Sequence, residues 1–549
     1  METHVQTHMK KNLFLLLAAA ALLCACAGPS GKSAKDPDGQ RLFIGEDIAV
    51  ANTQYGRVRG FILDDIYQFR GIPYGASTAG ENRFMPPQPP QSWDDVRPAL
   101  MFGESAPQVV AYDRRPESYG GFTDHWNYDL IGEDCLRLNV WTPGLDGEKR
   151  PVLVWLHGGG YSSGNAIEQD GYGGENLARY GNVVCCSVNH RLNSFGFSDF
   201  ASVGGEKYLH SGNVGMLDII AALQWVHDNI ANFGGDPGNV TIIGQSGGGG
   251  KVSVIATMPA AKGLVHKGVA LSGNAVSATD KAYAEALGAH ILKEAGLKPS
   301  QIDRLQQMPW EEYYALANRA ARSFRGTPAG GRAGFSPVGD GVDIPAGTFF
   351  DPADASLPNI PILYCTTLNE NNPNRTRPDL EDITLDGVVE QLSSRYGERT
   401  REIVEAYARQ FPDRRPIEIW SMLLSTRTNV VRSADTKYAQ GAPVYVAWFQ
   451  WQPPLFDGRM RAFHCLDICF WLHNTDVMLT HTGGGARPRA LSDKMSDALL
   501  AFMRTGDPNC DALPAWPKYT PENGEVMILD DVCRVENDPD RPARSVLMQ

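Results

Sequence analysis

Six short runs in this chain, several of them uninterruptedly apolar, are too hydrophobic for a surface: residues 152–156, 183–188, 240–243, 268–271, 360–366 and 444–450. A bounded apolar run of about four to eight residues reads as a strand covered on both faces, the habit of a parallel sheet. Parallel strands need crossover connections, usually helices. The clearest helical pattern covers residues 214–230, with Met216, Ile220, Leu223, Val226 and Ile230 at helical spacing. The alternation predicts an α/β fold with a mostly parallel central sheet covered by helices. Two helix-rich stretches, residues 281–325 and 385–432, interrupt it and are expected as helical excursions over the sheet, walling a gorge. No linker or internal repeat divides residues 42–549, so one domain is expected there. Composition agrees: 42% hydrophobic and 21% charged residues are ordinary globular usage, and 549 residues can bury a large core. A net charge of −13 argues against a broad nucleic-acid-binding surface.

The N-terminus reads as an address. Met9-Lys10-Lys11 precedes the apolar run 13–23 and the stretch Leu23-Cys24-Ala25-Cys26. Residues 1–26 are therefore expected to be an export signal, with Met9 as the start because residues 1–8 lack basic character. The run is too short to span a bilayer, which takes about 20 apolar residues. Its end resembles a bacterial lipobox, in which Cys26 is lipidated and becomes the new N-terminus. Residues 27–41 then form a flexible tether. The expected location is the bacterial cell envelope, on a lipid anchor in the membrane; ordinary cleavage to a periplasmic or secreted protein is the alternative. Export permits disulfides. Cys185 and Cys186 are expected as buried thiols and Cys510–Cys533 as the most plausible bridge. Neither cysteine nor histidine spacing points to a metal, and no cofactor is implied.

Chemistry concentrates at two glycine-rich turns. Gly244-Gln245-Ser246-Gly247-Gly248 follows the run 240–243 and opens a helix, the context of a nucleophile elbow in which Ser246 is held at a sharp turn. Gly249 and Gly250 continue the run into the helix start, where each glycine costs about 1 kcal/mol relative to Ala. Close approach of another backbone is the expected reason. His157-Gly158-Gly159-Gly160-Tyr161 follows the run 152–156. The N–H groups of Gly159 and Gly160, with that of Gly247, suit an oxyanion hole, where one donor is worth about 3 kcal/mol.

With those motifs, the chain resembles the type-B carboxylesterase/lipase family of the α/β-hydrolase superfamily, which includes bacterial p-nitrobenzyl esterases and cholinesterases. The likeness rests also on Phe69-Arg70-Gly71-Ile72-Pro73-Tyr74, Glu133-Asp134-Cys135-Leu136, Gly212-Asn213-Val214-Gly215, Phe233-Gly234-Gly235-Asp236-Pro237 and Thr505-Gly506-Asp507-Pro508-Asn509. It implies an α/β-hydrolase fold and a triad of Ser246, Glu370 and His464, in nucleophile, acid, base order. Glu370 is followed by Asn371 where the family usually has glycine, and Asp340 and Asp343 are rival acids. The resemblance also implies buried ion pairs Arg70–Glu133 and Arg191–Asp218, and a Cys135 left unbridged for want of a partner in the preceding loop. Asn274 stands where the family often has serine and is expected within reach of the acid.

The implied function is hydrolysis of a small-molecule carboxylic ester through an acyl-enzyme. His464 takes the Ser246 proton and Glu370 orients the imidazole. Activity is then expected to fall as pH drops through the His464 pKa, near 6.5 for an unperturbed histidine. A catalytically silent adhesion or scaffold protein of the same fold, or an amide or carbamate hydrolase, are the alternatives. Tyr112, Tyr119, Phe122, Trp126 and Tyr128 are candidates for an aromatic gorge mouth.

Overall fold

The computed structural model describes residues 39–110, 115, 118–123, 127–128 and 130–549. The export signal, Cys26 and most of the 27–41 tether lie outside the described residues. Four strands come first: β1 (Leu42–Phe43), β2 (Phe61–Leu63), β3 (Ile66–Pro73) and β4 (Arg137–Thr142). The six apolar runs follow as β5 (Arg150–Leu156), β6 (Val184–Val188), β7 (Gly235–Gln245), β8 (Lys267–Leu271), β9 (Ile362–Thr367) and β10 (Val444–Phe449). Two more, β11 (Glu525–Leu529) and β12 (Arg534–Asn537), complete one sheet in the order β1-β2-β3-β4-β6-β5-β7-β8-β9-β10-β11-β12. Strands β5 to β11 run parallel, and the flanking strands pair antiparallel. Every residue of β6 and of β10 is buried, as double-sided cover requires.

Helices α1 (Glu175–Gly181), α2 (Val214–Asn229) and α3 (Gly247–Ile255) make the first crossovers. The sheet order places β6 on one side of β5 and β7 on the other. The chain therefore reverses its winding at β5, and a crevice opens at the carboxyl ends of β5 and β7, where α/β sheets bind ligands. One apolar core runs from Ala49 to Ala543.

The stretch 281–325 forms α4 (Lys281–Glu294), α5 (Ile302–Gln307) and α6 (Trp310–Ser323). These cover a separate apolar cluster containing Phe84, Phe200, Leu305 and Tyr313. The second stretch forms α7 (Leu385–Tyr396), α8 (Thr400–Gln410), α9 (Pro416–Leu423) and α10 (Arg427–Gln440). The last of these, α10, packs on β9 and β10 and so also serves as a crossover. Those strands are parallel neighbours, and a helix must carry the chain back between them.

The Arg191–Asp218 pair forms as the resemblance implied, at 2.6 Å with both side chains at most 1% exposed. Glu133 does not pair with Arg70. Its carboxylate takes two hydrogen bonds from Arg83, at 2.7 and 2.5 Å. The segment after β3 folds back so that the Thr78 N–H donates to the Glu133 carbonyl, which brings Arg83 into reach. Arg70 instead lies over the Phe61 and Phe102 rings and donates to Gln68. The eight cysteines among the described residues are free thiols, so Cys510 and Cys533 are not bridged and Cys135 is unstapled. Cys185 and Cys186 are buried in β6, where burial raises both thiol pKa values.

Candidate functional site

Ser246 sits between β7 and α3 with φ 57° and ψ −121°. A non-glycine residue at positive φ is strained, and such strain persists only where the surroundings enforce it. Enforcement comes from both flanks: the Ser246 N–H donates to the Leu271 carbonyl at 2.8 Å, and the Gly250 N–H donates to the Ser246 carbonyl. The glycine run is explained by close approach, as expected. A methyl at Gly248 would lie 2.0 Å from the Leu156 carbonyl oxygen. One at Gly247 would lie 2.5 Å from the Gly160 nitrogen. The N-terminus of α3 and the glycine loop after β5 are thus packed backbone to backbone. Gly159 and Gly160 adopt φ values of 82° and 59°.

Glu370 and His464 come together through a short piece of parallel pairing. Asn369 bridges Phe463, and the Asn369 N–H donates to the Ala462 carbonyl at 3.0 Å. The next residue on each segment is Glu370 and His464, and Nδ1 of His464 hydrogen-bonds Oε2 of Glu370. The other carboxylate oxygen, Oε1, accepts from the Thr366 hydroxyl at 2.5 Å and the Thr367 N–H at 2.8 Å. Glu370 is 2% exposed. Burial pushes its pKa up, but His464 and the hydroxyl of Thr366 outweigh this and hold it below the ordinary value. The rival acids are engaged elsewhere. Asp340 Oδ1 accepts the N–H groups of Val342, Asp343 and Ile344, and Asp343 bonds His210 at 2.9 Å. Asn274 does not bond the acid; both of its amide atoms lack a partner.

His464 lies against Gln245, the residue before Ser246, whose Nε2 is 3.3 Å from each ring nitrogen. Gln245 also accepts from the Cys465 thiol at 3.2 Å. Burial lowers the His464 pKa; Cys465 and Glu370 raise it by more, and it stands well above the ordinary value. Asp467, three residues on, is buried, and burial beside Glu370 pushes its pKa up to about 7. Of the aromatic cluster, Tyr119 stacks on Phe456 and Phe122 meets the same ring edge-on. Tyr128 donates to Glu168, while Tyr112 and Trp126 lie outside the described residues.

Two cations flank the glycine loop without having been anticipated. Lys251 is fully buried in α3 and its Nζ donates to the His157 carbonyl at 2.8 Å. Burial lowers its pKa to about 7. Arg332 donates from Nη1 to the Gly160 carbonyl at 3.0 Å. A charged residue in the apolar run after the elbow was a usable signal for Lys251; the remote glycine-rich loop carrying Arg332 offered none.

A strained serine thus stands against the glycine loop, and a carboxylate-bound histidine rests on Gln245, the residue before it. The chain matches the carboxylesterase family model over residues 47–543. The chain belongs to the carboxylesterase family. As a carboxylesterase it hydrolyses carboxylic esters, and it has the α/β-hydrolase fold. It is 32% identical over 511 residues to a para-nitrobenzyl esterase of Bacillus subtilis (strain 168), spanning 91% of this chain and 98% of that one. Phenmedipham hydrolase of Pseudarthrobacter oxydans is also 32% identical, over 90% of this chain and 97% of the relative. A solved esterase from anaerobic Clostridium hathewayi, described as able to hydrolyze aliphatic aromatic polyesters, is 34% identical with a TM-score of 0.78. The match covers 92% of this carboxylesterase and 99% of that one.

Proposed function

We propose that this carboxylesterase works through an acyl-enzyme on Ser246, with His464 as base, Glu370 as its orienting acid, and the N–H groups of Gly159, Gly160 and Gly247 as the oxyanion hole. The observation that carries this reading is the Glu370–His464 hydrogen bond, with the His464 ring against Gln245, the residue before a serine at φ 57°. A serine hydroxyl attacks poorly near neutral pH unless a base takes its proton, and His464 does so as Ser246 Oγ bonds the ester carbonyl carbon. With Nδ1 committed to Glu370, the ring's Nε2 is the nitrogen that accepts. The carbonyl oxygen gains negative charge and meets peptide N–H groups already in place, so no reorganisation is needed as the charge forms. The alcohol leaves with the proton from His464, and water repeats the sequence to release the acid.

The test is Ser246→Ala assayed on p-nitrophenyl butyrate. Turnover falling to background supports the reading, and activity retained by the variant overturns it. An inert wild-type protein overturns it as well. The same reading places the enzyme at the bacterial envelope on a lipid carried by Cys26, on the strength of the N-terminal sequence alone.

A further inference from the structure

Beside Ser246 opens a cavity of about 420 Å³. It is lined by Ser246, Gly160 and Gly247, then by the segment from Ser272 to Thr279 and by Arg332; His464 is not among its walls. In the ester hydrolysis proposed above, His464 must give its proton to the departing alcohol oxygen, so the alcohol lies on the His464 side. A cavity that holds the nucleophile and the oxyanion glycines but not the base receives the acyl half.

Among walls of mixed character, that cavity holds two strongly polar side chains, Asn274 and Arg332. Asn274 is 8% exposed, and neither its Nδ2 nor its Oδ1 has a hydrogen-bond partner. Leaving a buried polar group unpaired costs about 1–3 kcal/mol, so a ligand group is the natural partner. Arg332 brings a guanidinium to the same wall. Its backbone is pinned on both sides by Thr279: the Arg332 N–H donates to Thr279 Oγ1 at 3.2 Å, and Thr279 Oγ1 donates to the Arg332 carbonyl at 2.8 Å. The Nη1 bond to the Gly160 carbonyl aims the head group along the glycine loop. No carboxylate among the described residues pairs with it. A guanidinium has five N–H donors in a flat fork that matches a carboxylate, and most of these remain for a ligand.

We infer that the acyl pocket recognises a carboxylate on the acyl chain, so that the preferred substrates are monoesters of short dicarboxylic acids, with Arg332 pairing the distal carboxylate and the Asn274 amide N–H donating to it. This inference rests on the ester-hydrolase reading and adds the substrate class. The chain's net charge of −13 repels anions at long range, but salt at about 0.15 M confines that field to roughly 8 Å, and Arg332 acts at contact.

The experiment follows hydrolysis of monoethyl glutarate and of the neutral ethyl valerate by pH-stat, and reads the ratio of their kcat/KM values. The ratio cancels whatever Arg332 does to Gly160, because both substrates use the same oxyanion hole. In Arg332→Gln the ratio is expected to fall about tenfold, equivalent to about 1.4 kcal/mol. In Arg332→Glu it falls further, and Arg332→Lys keeps part of the preference. Asn274→Ala lowers the ratio by a smaller factor. A wild-type enzyme that cleaves ethyl valerate, with a ratio that Arg332→Gln and Arg332→Glu leave unmoved, overturns this inference alone. An enzyme that turns over p-nitrophenyl butyrate but neither of these esters also overturns this inference alone, and one that turns over none of the three overturns the ester-hydrolase reading and this one with it.

Discussion

The base of the proposed triad must be neutral to act, and the surroundings of His464 work against neutrality. Burial disfavours the imidazolium, yet Cys465 and the Glu370 carboxylate favour it more strongly, so the pKa is raised. The neutral fraction is therefore lost at a higher pH than for free imidazole. The acid limb of kcat/KM is expected above pH 6.5, not near it, in a pH-rate profile on a substrate that does not titrate. Glu370→Gln removes one of the two groups that raise the pKa, so the limb should move down while kcat falls on the order of 10³–10⁴-fold. A limb that stays in place in that variant would mean that Glu370 does not act on His464. Ser246, Glu370 and His464 were nominated by the sequence because each sits in a local motif. Arg332 was not, because its significance lies in standing beside Gly160, 172 positions away along the chain.

Among the elements, Arg83 ties the excursion over residues 281–323 to the body of the protein. It pairs with Glu133 and also donates to the carbonyls of Leu305 and Met308, at 2.6 and 2.7 Å. Removing one partner of a buried pair leaves an uncompensated charge, which typically costs about 3–5 kcal/mol. Arg83→Ala should lower stability by about that amount in urea denaturation. Arg83→Met combined with Glu133→Leu should recover part of it, because the orphaned carboxylate is gone while the two carbonyls stay unpaired. A single variant as stable as wild type would show the pair to be dispensable. The expectation of Arg70 in this place failed for a physical reason. Arg70 and Arg83 are both arginines near β3, and only the fold-back of the chain through Thr78 decides which one reaches Glu133.

At the scale of the whole molecule, the export and anchoring proposed for residues 1–26 rest on the sequence, and the fold rests on the described residues. Among the described residues no helix is long and apolar enough to cross a membrane. Cys26→Ala, expressed from the native signal in a bacterial host, should move the enzyme from the membrane to the soluble fraction; unchanged membrane association would remove the lipid from the account. Strand and helix succession, the mostly parallel sheet and the elbow were all settled by local order in the sequence, since apolar runs, helical periodicity and glycine turns act on near neighbours. Tertiary structure alone decided the ion-pair partner of Glu133, the role of α10 as a crossover, the free state of Cys510 and Cys533, and the meeting of Asn274 and Arg332 at the cavity beside Ser246. Those depend on which distant segments meet, and proximity across hundreds of residues leaves no periodic trace in the chain.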